Sequence, residues 1–498
     1  MAQLNLAAIS YSWLPICPLA IVAVSAMIVL LVGVHVRDDE SESLGALTLV
    51  LLSFAFMFTL GLLGRSGIAF AGAISIDNFA TFFELTILLS VALVVLMSIE
   101  YAPALGISAA EYYALLLFST LGMMLMATAG DLIVIFVGFE LMSIGVYVLA
   151  GFLRRNVKSS EAAIKYFILG AFSTGFLLYG IALIYGATGT IKLAAISAAL
   201  AGPLATNPLL LSGLGLLLIG FAFKVAAVPF HMWTPDAYEG APTPVTAFMA
   251  VGVKLGAFAA FLRIFMVHLN LASAHWSWVL WVIAALTMTL GNLSALVQTN
   301  IKRMLAYSAI AHAGYILVGM AAAGPQAGGA ILYYLLGYAF TNLGAFAVVI
   351  ALERRGTAGD RISDYRGLAA RHPALAGVMT LFLLSLTGVP PLAGFLGKFY
   401  IFSAALNMGM IWLVIIAVLN SVVSAYYYIR VIVAMYMQEG GAEPSPLDSR
   451  PALIAALTVA AIATVLIGLY PNPYMAGALH AFTSAFGAVS PTAALLVR

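Results

Sequence analysis

The chain has 498 residues, of which 64% are hydrophobic and only 8% charged, with a formal net charge of +2 at pH 7. A water-facing globular surface needs about 25% charged residues, so a soluble fold is excluded, and so small a net charge carries no signature of nucleic-acid binding. The apolar runs are too long for buried core helices and lack the alternation of a transmembrane barrel, which leaves an all-α polytopic membrane protein.

Apolar runs at 14–35, 44–64, 76–98, 111–128, 131–152, 161–187, 207–229, 243–267, 276–298, 303–321, 326–352, 374–405, 409–437 and 451–470 predict about 14 transmembrane helices. The first run has no basic n-region and no A-x-A site, so it reads as a retained span. It holds Cys17, the single cysteine, expected as a core thiol without a disulfide partner. Residues 191–203 and 472–488 are too short to span and are expected along the interface. Pro229 in run 7 and Pro390 and Pro391 in run 12 predict broken helices. Irregular backbone at membrane depth survives only when buried in protein or lining a wet cavity. No His/Cys spacing suits a metal, and no phosphate-binding glycine loop opens a helix.

Orientation follows from the loop charges. One set of connections carries Arg37; Arg154, Arg155 and Lys158; Lys302 and Arg303; Arg354, Arg355, Arg361, Arg366 and Arg371; and Arg450. The alternate set, with both termini, carries only Arg65, Lys192 and Arg498. The first set is therefore expected to be cytoplasmic and both termini to lie on the opposite side. Lys165, Arg263 and Arg430 fall near span ends, where snorkelling accounts for them, and Glu84 is read as structural.

Five titratable groups remain deep in the membrane: Glu140, Lys224, Lys254, Lys398 and His312. Charge in hydrocarbon is expensive, so each marks a functional site by default. Polar side chains accompany them at helical spacing, among them Ser143 and Tyr147, Ser308 and Tyr315, and Tyr334, Tyr338, Thr341 and Asn342. Asn292, Asn420, Ser421, Ser424, Tyr427 and Tyr428 extend the set. Singly, such groups glue helices together; concentrated around buried lysines, they point to a hydrated polar axis.

Lysine suits proton transfer because burial loosens its hold on the proton and a nearby carboxylate tightens it. A Glu–Lys pair at about 4 Å interacts by roughly 4 kcal/mol at an effective dielectric near 20, against about 2.3 kcal/mol for one charge crossing 100 mV. Closing and opening one pair, for which Glu140 and Lys224 are the candidates, is enough to load and release a proton. Gly220-Phe221-Ala222-Phe223-Lys224 recurs as Gly394-Phe395-Leu396-Gly397-Lys398 five spans later, so the two copies run in opposite directions. The expected organisation is two inverted five-helix repeats, residues 111–267 (helices 4–8) and 268–437 (helices 9–13). Helices 1–3 precede them in 1–110, and helix 14 with the tail follows in 438–498.

At this point the residues carry a resemblance. The run from Val228-Pro229-Phe230-His231-Met232-Trp233 through Gly240-Ala241-Pro242-Thr243-Pro244 to Met249 is similar to the signature of the antiporter-like subunits of respiratory complex I. So are Lys302-Arg303-Met304-Leu305-Ala306-Tyr307-Ser308 with its following His312, and Gly388-Val389-Pro390-Pro391-Leu392-Ala393-Gly394-Phe395. The alanine before Pro242 and the lysine at 398 resemble the subunit N branch and differ from the L and M branches. The resemblance implies a proton-translocating subunit of NADH–quinone oxidoreductase, a translocase with no redox chemistry in this chain. Glu140 and Lys224 would form its charge pair, Lys254 the central relay and Lys398 the terminal one, with His312 on the polar axis.

NADH, FMN, iron–sulfur clusters and quinone would be used by other subunits, leaving no cofactor here. Partners would be subunit M, small subunits such as K and the peripheral redox arm, in a bacterial inner membrane with both termini periplasmic. The alternatives are a subunit of a Na⁺/H⁺ antiporter or of a membrane-bound hydrogenase-type complex. A mere scaffold would not need three deep lysines.

Overall fold

The computed structural model describes residues 13–36, 41–353, 359–440 and 450–489; Arg37, Arg354, Arg355 and Arg498 of the charge count lie outside them. Among the described residues, eleven helices are long and apolar enough to cross a membrane. Three shorter apolar helices, Cys17–Gly33, Pro208–Lys224 and Pro373–Thr387, fill the remaining expected positions. In chain order they are α1 (Cys17–Gly33), α2 (Ser41–Leu60), α3 (Asn78–Ser98), α4 (Ala109–Thr128), α5 (Leu132–Ala150) and α6 (Val157–Thr188). The first broken helix follows as α7 (Pro208–Lys224) and α8 (Trp233–Gly240). Then come α9 (Thr243–His268), α10 (Ser273–Leu296), α11 (Ile301–Ala322) and α12 (Pro325–Leu352). The second broken helix is α13 (Pro373–Thr387) and α14 (Ala393–Asn407), followed by α15 (Ile411–Met437), α16 (Pro451–Leu469) and α17 (Pro471–Val489).

Short polar residues start these helices where the chain leaves a loop. Asp77, Asp131, Asn156 and Asn300 each accept a hydrogen bond from a first-turn amide, satisfying donors the helix itself cannot. The loops bearing Arg154, Lys158, Lys302, Arg303 and Arg361 gather at one end of the bundle: Lys158 and Arg303 both reach Glu239, and Ile301 N–H donates to Asp360 O at 2.7 Å. At the other end a small antiparallel hairpin pairs Gly67–Ala69 with Ile74–Ile76, and Lys192 Nζ donates to Ala71 O.

The interior belongs to α9, α11 and α12. The apolar window of α9 is 100% buried, that of α11 94% and that of α12 89%, against 33% for α2 and α6. Helix α9 contains two π-helical stretches, Met249–Val253 and Leu262–His268, the first ending just before Lys254. Wide turns of this kind recur at functional sites. Helix α17, expected to lie along the interface, packs Leu479 and Phe482 against Gly328 and Gly329 of α12.

Both breaks fall where the prolines predict. Between α7 and α8 the chain turns through Ala226 in the left-handed region (φ 62°). Val228 N–H donates to Thr287 Oγ1, and the Trp233 indole donates to Phe223 O. Between α13 and α14 it turns through Gly388 (φ 94°), and Gly394 N–H donates to Ser385 Oγ. Side chains thus replace the partners that the interrupted helices lose. Gly394 is also a close approach: a Cβ there would stand 1.8 Å from Ser385 O.

Candidate proton-transfer site

Lys224, Lys254, Lys398 and His312 are each no more than 4% exposed. Each of the three lysines sits where a helix is interrupted or faces another's carbonyls. Lys224 is the last residue of α7, at the negative end of that helix dipole. Its Nζ lies 5.0–5.2 Å from the ring centroids of Phe139, Tyr147 and Tyr166, and donates to the Tyr166 hydroxyl at 3.4 Å. Three aromatic faces make a binding site for a cation out of water. Lys254 donates to the Ala309 carbonyl of α11 and stands 5.9 Å from the centre of the Tyr338 ring.

Lys398 shows the same logic from the opposite side of a break. Its Nζ donates to Leu386 O at 3.1 Å and Thr387 O at 2.8 Å, the last carbonyls of α13, and to Ser421 Oγ at 2.9 Å. It also lies 4.7 Å from the centre of the Tyr315 ring. Breaking the helix frees the carbonyls, and the lysine of the next half-helix occupies them.

His312 joins Lys254 to Lys398. Its ring is 5.2 Å from Tyr338, which faces Lys254, and 5.7 Å from Tyr315, which faces Lys398. Nδ1 pairs with the Tyr334 hydroxyl, and Nε2 lies 3.2 Å from the Tyr428 hydroxyl, which also pairs with Ser308. A small cavity lined by His312, Tyr334, Tyr338, Thr341, Ser385, Leu386 and Gly394 opens beside the imidazole. Lys254, Tyr338, His312, Tyr315 and Lys398 therefore form one continuous row across α9, α12, α11 and α14.

A separate set of aromatic contacts starts at Lys224. Tyr166 stacks on Trp233 at 4.1 Å, and Trp233 lies 6.4 Å from Tyr238. Among the described residues, Thr234 Oγ1, the Tyr238 and Tyr338 hydroxyls and both polar atoms of Asn342 are buried without a protein partner. Buried polar groups of this kind are the usual seats of ordered water.

Other sequence expectations change. Among the described residues no ion pair joins Glu140 to Lys224: the Thr174 hydroxyl donates to Glu140 Oε1 at 2.7 Å, while aromatic rings surround the ammonium. Glu140 is only half-buried, mid-way along α5, between the exposed Val137 and Ile144. Ser143 donates to Phe139 O of its own helix. Tyr147 contributes a ring over Lys224.

Arg263 does not snorkel to water. It is 3% exposed and makes two 2.9 Å hydrogen bonds to Asp77. Lys165 pairs with Asp236 and Glu161, and Arg430 donates to the carbonyls of Leu296 and Gln298. Glu84 is 2% exposed, so Glu140 is not the only deep carboxylate. Cys17 is half-buried and donates to Trp13 O. Tyr166 and Thr174 escaped sequence reading, although their spacing of two helical turns, with Gly170 between, is a polar stripe on α6.

The family described as NADH:quinone oxidoreductase/Mrp antiporter, transmembrane, matches residues 129–424. A curated relative from Trichlorobacter lovleyi, NADH-quinone oxidoreductase subunit N, is 50% identical over 92% of this chain and 94% of its own. A chain of respiratory complex I from Thermus thermophilus with bound aureothin is 36% identical, with a TM-score of 0.77 over 92% of this chain and 98% of that one. A chain of the Mrp complex from Dietzia sp. superposes with a TM-score of 0.81 over 97% of this chain and 99% of that one. At 23% identity it speaks for the fold alone.

Proposed function

The chain belongs to the NADH:quinone oxidoreductase/Mrp antiporter family of membrane subunits, and on that premise we propose that it serves as subunit N of a proton-translocating NADH–quinone oxidoreductase. Protons move along Glu140, Lys224, Lys254, His312 and Lys398, driven by quinone reduction elsewhere in the complex. The observation that carries this reading is the unbroken row from Lys254 through Tyr338, His312 and Tyr315 to Lys398. A protonated lysine gives its proton to water or an imidazole beside it, and the next amine takes it up. The half-helix carbonyls around Lys398 and the rings around Lys224 hold the charged form while it waits.

Glu140 is the switch: in the open arrangement it accepts from Thr174, and when it approaches Lys224 the roughly 4 kcal/mol of a close pair loads that lysine. The two five-helix units, 111–267 and 268–437, each supply one broken helix and one terminal lysine. NADH, FMN, iron–sulfur clusters and quinone belong to other subunits in this reading. The membrane is the bacterial inner membrane, with the basic loops cytoplasmic and the termini periplasmic. A half-buried carboxylate at mid-membrane cannot face lipid cheaply, so the α5 face bearing Glu140 is a face toward a neighbouring subunit, and subunits M and K are the candidates.

The family description also covers Mrp antiporters, and co-purification separates the two readings. The tagged chain should bring down flavin and iron–sulfur subunits with NADH:quinone activity. Recovery of antiporter subunits without that activity would move the assignment to Na⁺/H⁺ exchange. Within the complex, Lys224→Ala should lower NADH-driven pumping, and Lys224→Arg should not restore it, because arginine does not release its proton.

A further inference from the structure

A second polar site lies away from the lysine row, at the end of the bundle that carries the basic loops. A pocket of about 570 Å³ is lined by Gln298, Thr299, Arg361, Ile362, Ser363, Arg366, Arg430, Ala434 and Gln438. Three arginines line it, and among the described residues none of the lining is acidic. The nearby carboxylate of Asp364 is engaged with the backbone amides of Gly359 and Arg361. Arg430 is locked in place by the Leu296 and Gln298 carbonyls. Arginines that line one pocket favour an anion, which guanidinium groups bind through charge-assisted hydrogen bonds.

The surroundings identify that anion's source. The pocket sits where α10 and α15 end, and beside their contact both helices present apolar side chains outward. Leu293 on α10 and Val297 just past its end are 51% and 75% exposed, and Val422, Tyr426 and Ile429 on α15 range from 46% to 67%. A charged pocket at the end of the bundle, beside exposed apolar side chains of two packed helices, matches a molecule with a phosphate head and acyl tails.

We propose that Arg361, Arg366 and Arg430 seat the phosphate headgroup of an anionic phospholipid whose tails lie along the α10–α15 seam. Arg361 and Arg366 close on the phosphate from the loop before α13, and Arg430 holds it from α15. Ser363, Thr299, Gln298 and Gln438 supply neutral donors around it. The bound lipid ties that loop to the end of α15, the helix that carries Ser421, the partner of Lys398.

The test is native mass spectrometry of the purified full chain in detergent, titrated with dioleoylphosphatidylglycerol, with dioleoylphosphatidylcholine, or with inorganic phosphate. The wild type should retain one phosphatidylglycerol well above the phosphatidylcholine level. The double variant Arg361→Gln/Arg366→Gln, at two exposed side chains, should weaken that binding about thirtyfold. If the double variant does not fold, Arg361→Lys/Arg366→Lys replaces it and should bind more weakly than wild type while still preferring phosphatidylglycerol. Equal retention of phosphatidylcholine, or undiminished binding by the glutamine variant, would overturn the site. Inorganic phosphate binding as tightly as the lipid would overturn the lipid as its occupant.

Discussion

The proposed function gives Lys398 a transport role beside its structural one, and two substitutions separate them. Its ammonium gives three hydrogen bonds, to Leu386 O, Thr387 O and Ser421 Oγ. Lys398→Met removes all three and leaves the α13 carbonyls unpartnered, at about 1–3 kcal/mol for each buried group left unsatisfied. Relief from burying a charge offsets part of this, so the net destabilisation should be about 2 kcal/mol. Lys398→Arg keeps the positive charge and the donors but adds bulk at a site 4% exposed, which costs about 1–3 kcal/mol. The two variants should therefore lose similar stability for different reasons. Neither can pass a proton, since methionine carries none and arginine does not give one up. Thermal unfolding of the assembled complex reads the first effect; NADH-driven dye quenching in vesicles, alongside quinone reduction, reads the second. Both variants should remain assembled while pumping and quinone reduction fall together. Wild-type pumping by Lys398→Arg would refute a proton-releasing role and leave Lys398 a structural plug.

Thr174→Val removes the 2.7 Å hydrogen bond to Glu140, worth about 1.5–3 kcal/mol to a charged acceptor; pumping should drop, and Thr174→Ser should recover it. The two breaks respond oppositely to similar changes. Ala226→Gly relieves a left-handed alanine and should raise thermal stability by up to about 1 kcal/mol, whereas Gly388→Ala, at φ 94° with Lys398 Cδ 3.2 Å from the new Cβ, should lower it. Arg263→Met strands the Asp77 carboxylate and should cost about 3–5 kcal/mol. The double variant Arg263→Met/Asp77→Asn should regain most of that, and equal losses in single and double variants would deny the coupling.

Composition and apolar run length were sufficient for the helical membrane class because hydrocarbon tolerates so little else. Pro229, Pro390 and Pro391 announced the breaks for a similar reason: the carbonyl that loses its N–H donor has no water to turn to. The buried lysines were legible as charges in the wrong solvent. What sequence could not supply was rotation and partner choice. Glu140 and Lys224 are each visible as deep charges, yet whether they touch depends on how α5 turns relative to α7. In the structure Glu140 accepts from Thr174, and aromatic rings surround the Lys224 ammonium. Arg263 looked like a snorkelling end residue because its partner, Asp77, lies 186 positions away on another helix. The tyrosines that join the lysines into a row likewise come from different spans, and only packing aligns them. The π stretch before Lys254 has no sequence marker that a helical run of this composition would reveal.

The central claim is that protons cross the membrane through the buried lysine row. Lys254 lies on the wholly buried α9, between the two broken helices. The direct measurement is NADH-driven proton uptake by vesicles carrying the assembled complex with Lys254→Met, beside its rate of quinone reduction. The account predicts an intact complex in which both fall well below wild type; an intact complex pumping at the wild-type rate would contradict it.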